Sequence, residues 1–298
     1  MKIIQWNENF LTDVDVIDKA HKSLFSTVQR MSQFFDQDNP GKWKFACQEG
    51  LKFLKNYTAT HCAEEEEYMR SINYEHYAAH KRMHDNFRDN ILPSLEKELE
   101  ASDYSAESIR KFIGMCLGWL TGHIVTEDLA IVGKRLSKLK DVSSDAKDID
   151  TLKQLLADTM EGMTKVKAEV VSETYTGEYF GDALFYEMVY NYVTARQEIQ
   201  VLIGLEERLL LQSATAATGV PFTEVNTTVI SLMEEIAQAT VNQLGTMFIP
   251  PEHKHYFQNS RLISPEVFEK TLEQKLPRYS LLFQTEMGHF SFCVDILQ

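Results

Sequence analysis

HCAEEEEYMRSINYEHYAAHKRMH, residues 61–84, carries two pairs of metal-binding side chains at a spacing of four: His61 with Glu65, and His80 with His84. Residues four apart are neighbours on one helix face, so each pair points toward a common centre. The polar stretch Ser71–Asn73 separates the pairs and predicts a turn between two helices.

Outward from this stretch, apolar residues keep the alternation of three and four. Leu51, Leu54 and Thr58 lead into His61, and Tyr68 follows Glu65. Upstream the stripe is Ile17, His21, Leu24, Val28, Met31 and Phe35; downstream it is Ile109, Phe112, Cys116, Trp119 and His123. After His84 the stripe passes Phe87 and Ile91 and is expected to end near Pro93, since proline removes a helical donor. Four amphipathic helices with polar turns near Asp36–Gly41, Ser71–Asn73 and Ala101–Asp103 predict an all-α four-helix bundle.

Each helix turns at least one histidine inward. Burying five imidazoles without partners would cost about 1–3 kcal/mol for each unsatisfied group, and a shared metal centre satisfies all of them together. Asp128 follows His123 at i+5, roughly 140° around an ideal helix. It reaches the same centre only if the helix widens into a π-type turn or ends there. Five imidazoles and two carboxylates exceed the four ligands of a zinc ion. They suit two six-coordinate iron ions with bridging carboxylates and one open position. Carboxylate-rich di-iron oxidases use paired Glu-x-x-His motifs instead. The single such motif, Glu252 to His255, follows Pro250-Pro251, has no twin and reads as a surface loop.

Residues 1 to about 135 resemble a bacterial hemerythrin domain. The residues that carry the resemblance are Trp6, Val16-Ile17-Asp18-Lys19-Ala20-His21, HxxxE at His61, HxxxH at His80 and HxxxxD at His123, in the family's order. Ala20 stands where the family more often has Gln or Glu, a departure that removes no ligand. The resemblance implies one saturated iron on His80, His84 and His123, and a second on His21 and His61 with an open position. Glu65 and Asp128 would bridge them beside an oxo or hydroxo group. It further implies reversible dioxygen binding at the open iron, with Leu24, Phe25, Leu54 and Trp119 excluding water. His76, four residues before His80, falls in the turn region and is expected at the surface or behind the ligands.

The whole chain has 298 residues, of which 44% are hydrophobic and 25% charged, an ordinary soluble composition with room for two domains. No apolar run approaches the roughly 18 residues of a membrane span. Met1–Phe10 lacks an apolar signal segment, which points to the cytoplasm. The four cysteines (Cys47, Cys62, Cys116, Cys293) lie far apart, against a thiolate zinc site or a disulfide framework. The net charge of −14 falls mainly on residues 141–298, and neither half offers a basic surface for nucleic acid.

Lys140–Asp150 reads as a linker. Thr151–Val170 reads as a helix whose stripe (Leu152, Leu155, Leu156, Met160, Met163, Val166) could pair with a second copy to form a homodimer. Beyond it, Phe185, Met188, Val189 and Tyr192 suggest a helix, with Glu198–Leu205 and Arg208–Ser213 as β runs around Glu206-Glu207. A long helix is expected from about Val225 to Met247, a short one from Ser264-Pro265 through Leu272, and a closing hairpin, Tyr279–Glu286 with His289–Leu297. The expected organisation is a bundle at 1–138, a linker and connecting helix at 139–171, and an α+β domain with an antiparallel sheet at 172–298.

Ser231-Leu232-Met233-Glu234-Glu235-Ile236-Ala237-Gln238 on the long helix resembles the motif of CheX/CheC-type chemotaxis phosphatases. Ser231 and Glu235 fit the family's pattern, whereas Gln238 replaces Asn. The resemblance implies a phosphorylated CheY-like response regulator as partner. Glu235 would anchor a receiver lysine and Gln238 would align the hydrolytic water. Moving that amide by about 1 Å can cost ~100-fold in rate, so an active phosphatase and an inactive docking module are both open. Together the halves point to a di-iron oxygen or redox sensor acting on a response regulator. The alternative is an oxygen-binding, storage or iron-protecting protein whose second domain only docks or dimerises.

Overall fold

Asp18 fastens the entry to the first helix. Its Oδ1 accepts from the Thr12 amide at 2.9 Å and the Thr12 hydroxyl at 2.8 Å, and its Oδ2 from the Asp13 amide at 3.2 Å. These bonds hold the lead-in, including a short 3₁₀ turn at Glu8–Phe10, against helix α1, Asp15–Phe35. The computed structural model describes residues 4–35, 40–134, 149–192, 197–248 and 255–297. The turn expected at Asp36–Gly41 lies largely outside these residues.

Helix α2, Pro40–Ser71, is followed by a turn at residues 72–76, closed by the Asn73 amide on the Arg70 carbonyl and the Tyr74 amide on the Met69 carbonyl. The third helix does not stop at Pro93. Helix α3, Tyr77–Asn86, passes into a π-helical turn, Phe87–Ile91, and then α4, Leu92–Ala101. The Leu92 amide reaches the Phe87 carbonyl five residues back. Pro93 then sits in the first turn of α4, where a missing donor is tolerated. The expected stop is corrected accordingly.

Helix α5, Ala106–His123, begins at Ser105, whose hydroxyl accepts from the Ser108 amide at 3.2 Å. It widens into a π turn at Ile124–Asp128 and closes with α6, Leu129–Ile131. Ile17, Leu24, Val28, Leu51, Leu54, Ile109 and Phe112 are buried, as the helical stripes require.

The second half holds α7, Ile149–Thr164, then β1, Ala168–Ser172, β2, Ala183–Tyr192, and β3, Gln197–Glu206. Next come α8, Glu207–Thr218, α9, Thr227–Phe248, and β4, His255–Ile263. Helix α10, Pro265–Gln274, precedes the hairpin of β5, Tyr279–Thr285, and β6, Gly288–Leu297. The six strands form one antiparallel sheet in the order β1-β5-β6-β3-β2-β4. Tyr175, Phe185, Leu202, Phe268, Leu272 and Cys293 pack α10 onto one of its faces. The chain divides into two compact units, Met1–Arg135 with Asn226–Leu232, and Leu136–Val225 with Met233–Gln298.

Three expectations for this half are corrected. Phe185–Tyr192 belongs to strand β2, between β3 and β4, not to a helix. Arg208–Ser213 lies in α8, where Leu209, Leu210, Ser213, Ala214 and Ala217 are buried at helical spacing and Gly219 caps the end with φ 70°. The helix expected over Thr151–Val170 ends at Thr164, Lys165 takes φ 62°, and β1 pairs with β5. The α7 stripe (Leu152, Leu155, Leu156, Met160, Met163) is buried within this chain, so it is not free to pair with a second copy. Helix α7 and β1 are thus built into the α+β unit, and the linker Lys140–Asp150 lies, up to residue 148, outside the described residues.

Candidate metal centre

Seven side chains from four helices converge in the bundle: His21 from α1, His61 and Glu65 from α2, His80 and His84 from α3, His123 at the end of α5, and Asp128 at the end of the π turn. All seven are buried. The atoms that could ligate a metal fall into two groups that share Glu65. One is Glu65, His80, His84, His123 and Asp128; the other is His21, His61 and Glu65, and within each the atoms lie within 4.8 Å of one another.

The π turn is what brings Asp128 inward. An undistorted helix would carry it about 140° from His123, whereas here Asp128 Oδ1 lies 3.1 Å from His123 Nε2 and 3.3 Å from His80 Nε2. The other oxygen, Oδ2, lies 3.1 Å from His21 Nε2. Asp128 therefore faces one histidine group with each oxygen. Glu65 is placed the same way, with Oε1 3.3 Å from His80 Nε2 and Oε2 3.2 Å from His61 Nε2.

The donor set fits metal ions of high coordination number. The Nε2 atoms of His80, His84 and His123 form a triangle with sides of 3.1, 3.0 and 3.0 Å. Three donors on one face of an octahedral ion, at a metal–nitrogen distance of about 2.1 Å, stand about 3.0 Å apart; a tetrahedral ion would spread them to about 3.4 Å. Both oxygens of Glu65 and of Asp128, and both ring nitrogens of His21, are buried without a hydrogen bond among the described residues. Such a concentration of unsatisfied polar atoms is costly unless an ion completes it.

Electrostatics agree with that requirement. Burial drives the His61 pKa down to about 3, against the opposing pull of Glu65, so its imidazole is neutral and offers a lone pair. Burial also lowers the pKa of His84. At His80 burial is outweighed by the Asp128 and Glu65 carboxylates, which lift its pKa to about 10.

A cavity of about 20 Å³ adjoins His61, His84 and His123, walled by Leu24, Leu54, Phe87, Cys116 and Trp119. About 10–15 Å³ suffices for one water-sized molecule. Phe25 is buried against Trp6 and Phe10 rather than on this wall. Trp119 stacks on His123 at 4.7 Å and on Phe87 at 3.7 Å, so one aromatic pile joins His123 to the cavity wall. His76 is exposed. The Glu252 to His255 motif lies outside the residues whose side chains are described.

Sequence reasoning missed Glu66. It is buried beside Glu65 and places Oε1 3.4 Å from His84 Nδ1. Glu64–Glu67 reads as one acidic run, yet its outer two residues are exposed and its inner two buried; only the packing separates them. On α9, Ser231 and Glu235 are buried and Gln238 is half-buried, and no described side chain of this helix is exposed.

A family model described as the Hemerythrin HHE cation binding domain matches residues 12–134. Hemerythrin subunit alpha of Lingula anatina is 32% identical over 129 residues, 43% of this chain and 92% of that protein. Bacteriohemerythrin of Clostridium acetobutylicum is 27% identical over 124 residues, 41% of this chain and 94% of that protein. Among solved structures, the chemotaxis protein CheX from Vibrio vulnificus is similar over 48% of this chain and 94% of its own, at 12% identity and a TM-score of 0.38.

Proposed function

Over residues 12–134 this chain belongs to the hemerythrin family, and from that premise we propose that it is a di-iron sensor of dioxygen or redox state whose second domain acts on, or docks to, a phosphorylated CheY-like response regulator. The observation that carries the reading is the convergence of seven buried ligands in two groups sharing Glu65. In this reading His80, His84 and His123 hold one iron, His21 and His61 the other, and Glu65 and Asp128 lie between them. When bound, the iron pair supplies the electrons that hold dioxygen reversibly.

The chain's own residues set the conditions for that binding. His21 and His61 give their ion fewer histidines than its neighbour has, which leaves room for a ligand. The cavity beside His61 admits one small molecule. Its apolar wall disfavours water and charged species, and the pile of Phe87 and Trp119 closes it on the His123 side.

The partner follows from the resemblance of Ser231–Gln238 to the CheX/CheC motif. In this reading Gln238 aligns water on an aspartyl phosphate and Glu235 anchors the receiver. The burial of Glu235 favours a second reading, in which the α+β domain is a docking or dimerisation module of an oxygen-binding or iron-protecting protein.

Dephosphorylation of a receiver domain by the iron-loaded chain, in the diferrous and diferric states, separates the two. A rate that differs between states and falls at least tenfold in Gln238→Ala supports the sensor. No rate in either state leaves the metal centre in place and supports the docking module.

A further inference from the structure

Two successive carboxylates on α2 address the two nitrogens of one imidazole. Glu65 Oε2 lies 3.9 Å from His84 Nε2, the nitrogen that faces the other ligands, and Glu66 Oε1 lies 3.4 Å from His84 Nδ1, the nitrogen that faces away. A carboxylate on the outer nitrogen fixes the tautomer, because Nδ1 must carry the proton it donates, and Nε2 is left as a lone pair aimed inward.

Glu66 is itself held. Its Oε2 lies 3.6 Å from Lys81 Nζ, and Lys81 grips both oxygens of Asp85 at 2.8 and 3.0 Å. Arg88 bonds Asp85 at 2.8 Å and Asp89 through two nitrogens at 2.8 Å. Side-chain exposure along this path rises from 1% at His84 to 10% at Glu66, 38% at Lys81 and 58% at Asp89. The charges therefore run from the ligand to the surface, each satisfied by the next.

His84 is singled out by this arrangement. The Nδ1 atoms of His21, His80 and His123 are buried without a hydrogen-bond partner among the described residues. The outer nitrogen of those three rings meets no described partner, whereas that of His84 faces a carboxylate.

We propose that Glu66 is a positioning residue for His84. It holds the ring in its metal-facing tautomer and strengthens Nε2 as a donor, so that the three-histidine ion is biased toward its more oxidised state. Lys81 acts through Glu66 by keeping its carboxylate in place. This rests on the di-iron reading above. A donor strengthened in this way favours the higher charge on the ion, so its loss raises the reduction potential.

The test uses the full-length chain loaded with iron(II). Iron affinity is read by competition with a colorimetric chelator, and the reduction potential by spectroelectrochemistry. Glu66→Ala is expected to lose roughly 10–100-fold in affinity and to raise the potential. Glu66→Gln keeps an acceptor oxygen without the charge. It is expected to recover most of the affinity while its potential stays above wild type, a split that a packing role alone would not produce. Should Glu66→Ala fail to fold, Glu66→Gln and Lys81→Ala carry the test through the potential. Wild-type affinity and potential in these variants, with the wild-type chain binding iron, overturns the role of Glu66 and spares the di-iron reading. A wild-type chain that binds no iron overturns both.

Discussion

At the scale of single residues, the rings that lack a partner on their outer nitrogen depend on their neighbours' shapes. Trp6 lies 5.9 Å from His21, and Trp119 is stacked within 11° of parallel on His123. Trp119→Ala should therefore destabilise the folded chain by about 3–5 kcal/mol in urea unfolding, and Trp119→Phe by clearly less. Asp18→Ala leaves the amide and hydroxyl of Thr12 unpaired in a buried site and should cost about 1–3 kcal/mol by the same measurement. The thiols make a further prediction. Burial lifts the Cys47 pKa from 9.0 to about 12 and the Cys293 pKa to about 11. At pH 8 the folded chain should react negligibly with a thiolate-specific disulfide reagent at these positions, and fully once unfolded. Because the folded pKa values lie above the unfolded ones, the linked stability is complete below about pH 9. It is lost as pH rises toward 11–12.

At the scale of elements, the π turn at Ile124–Asp128 is the device that turns Asp128 toward the histidines. Inserting one alanine after Thr126 should break the phase that the π turn sets and carry Asp128 roughly 100° around the helix. Iron content per chain should then fall while helix content, read by circular dichroism, is retained. The turn was legible because His123 and Asp128 are five apart, a spacing with no α-helical explanation if both face one centre. The bundle was legible for a similar reason: histidines occupy stripe positions that apolar residues otherwise fill. Strand β2 was not, because it is covered on both faces. Phe185, Tyr186, Glu187 and Met188 are all buried, so no alternation marks it. Arg208–Ser213 looks like a short strand in isolation, and only the continuation through Ala214, Ala217 and Gly219 shows a capped helix. The π turn at Phe87–Ile91 carried no signal beyond Pro93, which by itself argued for a stop. Glu66 lay one position from a recognised ligand, and its role depends on which nitrogen of His84 it meets across two helices, a tertiary fact.

At the scale of the whole molecule, a hemerythrin bundle and an antiparallel α+β unit share one chain whose net charge is −14. Among the described residues no helix is long and apolar enough to cross a membrane. The cavity beside His61, His84 and His123 has room for a molecule about the size of water. The most direct test of the metal centre is iron stoichiometry together with the visible spectrum of the reduced chain through cycles of oxygenation and deoxygenation. Two iron ions per chain, with a charge-transfer band that appears with dioxygen and disappears on its removal, is the predicted result. One iron or none, or a spectrum that does not revert when dioxygen is removed, would contradict it.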